Sequence, residues 1–176
     1  MAKLFKMNVF TDGSDLGKHN NSDNLRYGVV AAINENTVFK ISGRIDLVEF
    51  EQKYQCRASN PYAELYAIYS FVRSVQQNPN IKNVMFTIYS DYEGVQKWIN
   101  GEWKAKKPYI RQLVWAIYRI YDMLRKDSRN VLFYYKWVKG HQTEDCYLKR
   151  MNDLADTVAR DENCYNEIHR LFARGY

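Results

Sequence analysis

Polar and apolar residues alternate over residues 6–12, where Met7 and Val9 fall on one side and Lys6 and Asn8 on the other, the two-residue period of a half-buried strand. Residues 27–33 and 37–43 read as two more strands, and the short Asn34, Glu35, Asn36 connection predicts a hairpin, so the first three strands form an antiparallel meander. The polar stretch 15–24 and the irregular stretch 45–59 read as loops. Asn60 followed by Pro61 predicts a helix start, with Asn60 as cap and Pro61 in the first position, and the apolar spacing continues to about Val75. Beyond it the pattern gives a strand over 84–91, helices over 92–100 and 109–125, a strand over 131–138 and a helix over 148–160. Tyr165, Ile168, Leu171 and Phe172 at helical spacing predict a short terminal helix that packs back, so the core covers about 6–160 and residues 161–176 form a helical extension.

Three strands followed by strands that alternate with helices make an α/β fold with a mixed sheet. Helical crossovers make the fourth and fifth strands parallel to their neighbours. If the fourth lies beside the first, Asp12 and Asp91, each at the end of its strand, come side by side. A strand closing on Asp12 and Gly13 is by itself more often a plain turn. Glu64 changes the weighting. Leu65, Ile68, Phe71, Val72 and Val75 define an apolar helix stripe, and at about 100° per residue Glu64 falls inside it, aimed at the sheet. An unpaired buried charge is costly, so a cation held by Glu64, Asp12 and Asp91 accounts for all three. Ligands offering only oxygen suit Mg²⁺, with Mn²⁺ as a substitute.

The chain has 176 residues, 46% of them hydrophobic, enough for one well-buried core and too few for two, so a single domain over 1–176 is expected. No apolar run approaches the roughly 18 residues of a membrane span, and Lys3 and Lys6 interrupt the N-terminal stretch where a signal peptide would lie, which predicts a cytoplasmic protein without a membrane partner. Cys56, Cys146 and Cys164 are odd in number and lack paired spacing, which excludes a disulfide framework, a zinc site and a disulfide-linked partner, and a monomer is expected. A net charge of +6 directs attention to polyanions. Lys97, Lys104, Lys106, Lys107 and Arg111 are interleaved with Trp98, Trp103 and Tyr109, a composition suited to phosphates and sugar or base faces, although a charge run is commonly only a solvated surface and Trp98 can serve the core.

Five segments occur in an order that resembles type 1 ribonuclease H: Thr11-Asp12-Gly13-Ser14, Asn60-Pro61-Tyr62-Ala63-Glu64-Leu65, Ile88-Tyr89-Ser90-Asp91, Trp137-Val138-Lys139-Gly140-His141 and Asn152-Asp153-Leu154-Ala155-Asp156. The resemblance implies a five-stranded sheet in the order 3-2-1-4-5 with helices on both faces. It also implies a metal-dependent endonuclease that hydrolyses the RNA strand of RNA/DNA hybrids with two cations, leaving 5′-phosphate and 3′-OH ends. Position by position, it makes Asp12, Glu64, Asp91 and Asp156 the catalytic carboxylates and metal ligands, with His141 beside them in a loop. The helix stripe Met151, Leu154, Ala155, Val158 leaves Asp153 and Asp156 equivalent, and only the motif selects Asp156. Gly13, Ser14, Asn60, Trp103, Lys104, Lys106 and Lys107 are the expected substrate contacts, with Asn60 meeting a 2′-OH. Residues 141–156 are longer than in compact bacterial members, and catalytic positions starting at Asp12 leave the grip on substrate to the catalytic domain. Two other readings fit the fold: a related nuclease acting on DNA, and a hybrid-binding module without catalysis.

Overall fold

The computed structural model describes residues 4–16, 24–140 and 146–170. Five strands, β1 (Phe5–Asp15), β2 (Leu25–Ile33), β3 (Asn36–Arg44), β4 (Val84–Ser90) and β5 (Val131–Trp137), form one sheet in the order β3-β2-β1-β4-β5. The pairs β1/β2 and β2/β3 are antiparallel, whereas β1/β4 and β4/β5 are parallel, as the strand and helix pattern requires. Asn34 and Glu35 both take positive φ, 47° and 69°, the conformation whose twist matches that of a tight hairpin.

The helices are α1 (Leu47–Tyr54), α2 (Asn60–Gln77), α3 (Glu93–Ile99), α4 (Pro108–Lys126) and α5 (Tyr147–Arg160). Alternation along β1 divides the interior in two. Met7 and Val9 join a core with Leu65, Ile68 and Phe71 of α2 and Leu113 and Ile117 of α4, while Phe10 joins Tyr89, Met151, Ala155 and Val158 beneath α5. Helices therefore cover both faces. β1 and β2 pass so close to α2 and α5 that a Cβ on Gly13 would stand 2.3 Å from the Glu64 nitrogen, and one on Gly28 would stand 2.5 Å from the Ala159 nitrogen.

Two expectations are corrected. The stretch 45–59 contains α1, whose Asp46 side chain accepts hydrogen bonds from the Val48 and Glu49 N–H groups at 3.0 and 3.2 Å. α1 escapes a periodicity reading because only Leu47 and Phe50 are buried among polar neighbours. Asn60 does not cap α2: it is the first helical residue, Ser59 holds the cap position without a side-chain bond, and the Asn60 amide points at Glu64. Within the segment expected as a terminal helix, residues 163–167 run along the outer edge of β3, and Arg170 begins a helical turn. Tyr165 accepts from Ser42 N–H at 2.8 Å, Glu167 donates to the Lys40 carbonyl at 2.9 Å, and Ile168 is buried in the core. Leu171 and Phe172 lie outside the described residues, as does most of the polar stretch after Asp15, where β1 extends three residues beyond the Asp12 expected to end it.

Pairing by that segment satisfies the free edge of β3 around residues 40–42. At the other edge the Gln96 side chain donates to the Tyr135 carbonyl at 3.4 Å and accepts from Trp137 N–H at 3.1 Å, which covers the C-terminal end of that edge. Fully buried Arg26 ties α5 to the sheet by donating to the carbonyls of Ala159 and Asn163 at 3.2 and 3.3 Å. No helix among the described residues is long and apolar enough to cross a membrane, and all three cysteines are free.

Candidate functional site

Parallel pairing of Thr11 with Ser90 brings the ends of β1 and β4 together, and the next residues along, Asp12 and Asp91, meet at a cleft of about 490 Å³. α2 supplies Glu64, which is 97% buried because its direction lies within the apolar stripe that faces the sheet. Ligand oxygens of Asp12, Glu64 and Asp91 lie within 4.8 Å of one another. Asp12 Oδ2 and Glu64 Oε2 are buried and have no hydrogen-bond partner among the described residues.

Crowding and burial govern the electrostatics. Burial first, and then the charges of Asp91 and Asp156, raise the Asp12 pKa to about 8. Glu64 is held well above the ordinary carboxylate range by burial and by the charges of Asp12 and Asp91, against which the Gly13 N–H stabilises its ionised form. Without a cation these groups retain protons. A divalent cation would supply the missing charge and the missing partners of Asp12 Oδ2 and Glu64 Oε2, so the donor set fits a hard cation bound through oxygen.

α5 lines the opposite wall. Asp156 hydrogen-bonds with Asp12 and forms a 2.6 Å ion pair with Arg160, whereas Asp153 pairs with Lys149 at 2.7 Å. Both aspartates border the cleft, but only Asp156 reaches the Asp12 carboxyl. Asn152, also on α5, is 93% buried and donates to Asp91 Oδ2 at 3.5 Å. Asn60, Gly13 and Ser14 complete the wall near β1, with the Asn60 amide 3.5 Å from Glu64 Oε1. Tyr92 and Gly140 close the remaining side. His141 lies outside the described residues. The residues that sequence reasoning left without a role are Asn152 and Arg160. Asn152 carried a readable signal, since it stands beside Met151 on the buried side of an otherwise apolar helix stripe.

Next to this cleft, and sharing Tyr92 with it, is a second one of about 610 Å³ lined by Ser59, Pro61, Trp98, Trp103, Lys104, Lys106 and Lys107 among others. Trp103 is half exposed, and Trp98 packs against the core. Lys97 is engaged by Glu93 at 3.3 Å and Glu102 at 3.6 Å and lies 5.3 Å from the Trp103 ring centre, which leaves Lys104, Lys106 and Lys107 as the cations facing the second cleft.

A family model described as RNase H matches residues 5–163. Among solved structures, the RNase H1 of the halophilic archaeon Halobacterium salinarum NRC-1 superimposes with a TM-score of 0.62 at 16% identity, over 89% of this chain and 96% of that one. The N-terminal RNase H domain of a Mycobacterium tuberculosis protein gives 0.60 at 17% identity, over 97% and 99%. LC11-RNase H1, solved in complex with an RNA/DNA hybrid, gives 0.57 at 18% identity, over 86% and 92%. No curated protein sequence matches this chain.

Proposed function

The chain belongs to the RNase H family and is on that ground an RNA/DNA-hybrid endoribonuclease; from this premise we propose that it hydrolyses the RNA strand with two divalent cations, Mg²⁺ in the first place, leaving 5′-phosphate and 3′-OH ends. The observation that carries the reading is the convergence of Asp12, Glu64 and Asp91, whose ligand oxygens lie within 4.8 Å of one another, with buried Asp12 Oδ2 and Glu64 Oε2 finding no hydrogen-bond partner among the described residues and both of these carboxyls held above the ordinary range.

Asp12, Glu64 and Asp91 would hold one cation, and Asp12, which also contacts Asp156, would share a second with it. Two bound cations would supply activation of a water on one side of the scissile phosphate and charge stabilisation of the leaving 3′ oxygen on the other. The protein's own part is to hold the carboxylates on rigid strand ends and a buried helix turn, so that little reorganisation accompanies reaction. Glu64 is fixed by the Gly13 N–H and by the Asn60 amide, which also faces the cleft in reach of a 2′-OH. Lys104, Lys106 and Lys107 would meet phosphates of the DNA strand, and the exposed face of Trp103 would lie against its sugars or bases. His141, which follows β5 in the sequence, would assist proton movement or product departure.

LC11-RNase H1, which shares this fold, is known in complex with an RNA/DNA hybrid, and that supports the choice of substrate. The test is incubation with strand-labelled RNA/DNA hybrid, double-stranded RNA and double-stranded DNA, with and without Mg²⁺. Mg²⁺-dependent cutting confined to the RNA strand of the hybrid is the expected result. Cutting of DNA would move the protein to the wider group of nucleases with this fold, and binding without cutting would make it a hybrid-binding module.

A further inference from the structure

Asn152 sits on the buried side of α5 with Met151, Ala155, Val158 and Ala159, where an apolar residue would be expected from the helix pattern. Its amide has two ends with different fates. Nδ2 approaches Asp91 Oδ2 at 3.5 Å, and the opposite assignment would turn Oδ1 toward a carboxylate oxygen and repel it. With the donor end so placed, Oδ1 is buried and finds no hydrogen-bond partner among the described residues. The residue borders the carboxylate cleft. Asp91 Oδ2 is enclosed from another side by the backbone at Gly140, where a Cβ would stand 3.1 Å from it. The Asp91 carboxylate is thus held in one orientation by an amide on one side and main chain on another.

A buried acceptor without a partner costs free energy, and Asn152 is retained at a position where a hydrocarbon side chain would avoid that cost. We infer that Asn152 is a positioning residue of the cation site: its N–H fixes the Asp91 carboxylate, and its buried carbonyl accepts a hydrogen bond from a water that enters the cleft with the cation. The inference rests on the proposed cation-dependent reading of the cleft and adds to it a residue that touches a ligand rather than the metal. Groups in this position act by orienting a ligand, so their loss weakens the metal site without dismantling the fold.

The experiment compares the wild type with Asn152→Ala, Asn152→Leu and Asn152→Ser, following Mg²⁺ binding by calorimetry and by the rise in melting temperature with Mg²⁺ concentration, alongside kcat and KM on a labelled hybrid. Asn152→Leu keeps the volume without the polar atoms, and Asn152→Ser retains a hydroxyl too short to reach Asp91 while sparing the fold should the other two fail. Expected is a loss of about 10- to 100-fold in Mg²⁺ affinity, a lower kcat, a KM for hybrid close to that of the wild type, and no loss of melting temperature in the metal-free protein. Folded variants that bind Mg²⁺ as the wild type does would overturn the role, and a lowered metal-free melting temperature with unchanged Mg²⁺ affinity would reduce Asn152 to a packing residue. If the wild type itself binds no Mg²⁺, the reading of the cleft falls and this inference falls with it; if the wild type binds and the variants match it, only the role of Asn152 falls.

Discussion

At Glu64, desolvation and the repulsion of Asp12 and Asp91 act in the same direction, so the metal-free fold carries a strained group whose relief is the binding of a cation. Neutral isosteres separate the two sides of that balance. Asp12→Asn, Glu64→Gln and Asp91→Asn are each expected to abolish turnover of hybrid while the protein stays folded, and Glu64→Gln is expected to raise the melting temperature measured without Mg²⁺. Retained cleavage by any of the three, or a lower metal-free melting temperature for Glu64→Gln, would contradict this account. His141 is a weaker contributor by chemistry, since a group that only moves a proton contributes about 10²- to 10⁴-fold in rate. His141→Ala is expected to be impaired but active, with an altered pH-rate profile; an unchanged kcat and profile would return it to the surface. Glu64 could be read from the sequence because a carboxylate interrupts a long apolar stripe. Asn152 interrupts a stripe in the same way, but an amide carries no charge, so burying it raises no comparable alarm.

Elements matter here chiefly through what they bring to the cleft. α1 does not line it; Phe50 instead packs against Tyr62 of α2 and Tyr109 of α4, with ring centres 4.7 and 5.1 Å away, at the helix ends that flank the basic segment. Removing that ring leaves a cavity among tyrosines, and Phe50→Ala is expected to cost about 3–5 kcal/mol of stability, measurable by denaturant unfolding, with KM rising more than kcat falls because Tyr109, whose ring centre lies 5.5 Å from Lys107 Nζ, loses its support. The segment between α3 and α4 holds the residues proposed to grip substrate. Replacing Lys104, Lys106 and Lys107 together by Ala is expected to raise KM for hybrid, leave kcat largely alone, and make the dependence of log K on log salt shallower by about 0.9 for each phosphate that is no longer neutralised. An unaltered salt slope would show these lysines to be a solvated face. None of the three is drawn into an ion pair among the described residues, whereas Lys97 is engaged by two glutamates.

For the molecule as a whole, the carboxylate cluster links folding, pH and metal. Asp12 binds its proton up to about pH 8 in the fold, against an ordinary value of 3.8, so the folded state holds an extra proton between those values. That proton stabilises the metal-free fold fully below the lower value, and the contribution is lost as pH rises through the upper one. The melting temperature without Mg²⁺ is therefore expected to fall across this interval, Mg²⁺ is expected to stabilise more strongly at the alkaline end, and Asp12→Asn should flatten both trends; a metal-free melting temperature that rises across the interval would contradict the raised pKa. The sequence by itself determined the strand and helix order, the hairpin, the inward direction of Glu64 and the basic character of the grip, because alternation, helical period and charge are local properties that any neighbour along the chain reveals. Strand order 3-2-1-4-5 followed once a resemblance joined those local signals, and the structure bears it out. Other features were decided only by packing. α1 forms because Leu47 and Phe50 find a surface to bury, and residues 163–167 are extended because the free edge of β3 offers them hydrogen bonds that a helix would not need. Helical period left Asp156 and Asp153 equivalent and only the motif selected Asp156; its contact with Asp12 arises because α5 lies against β1 and β2 at one rotation, set where Gly28 and Arg26 meet it from a strand more than a hundred residues away.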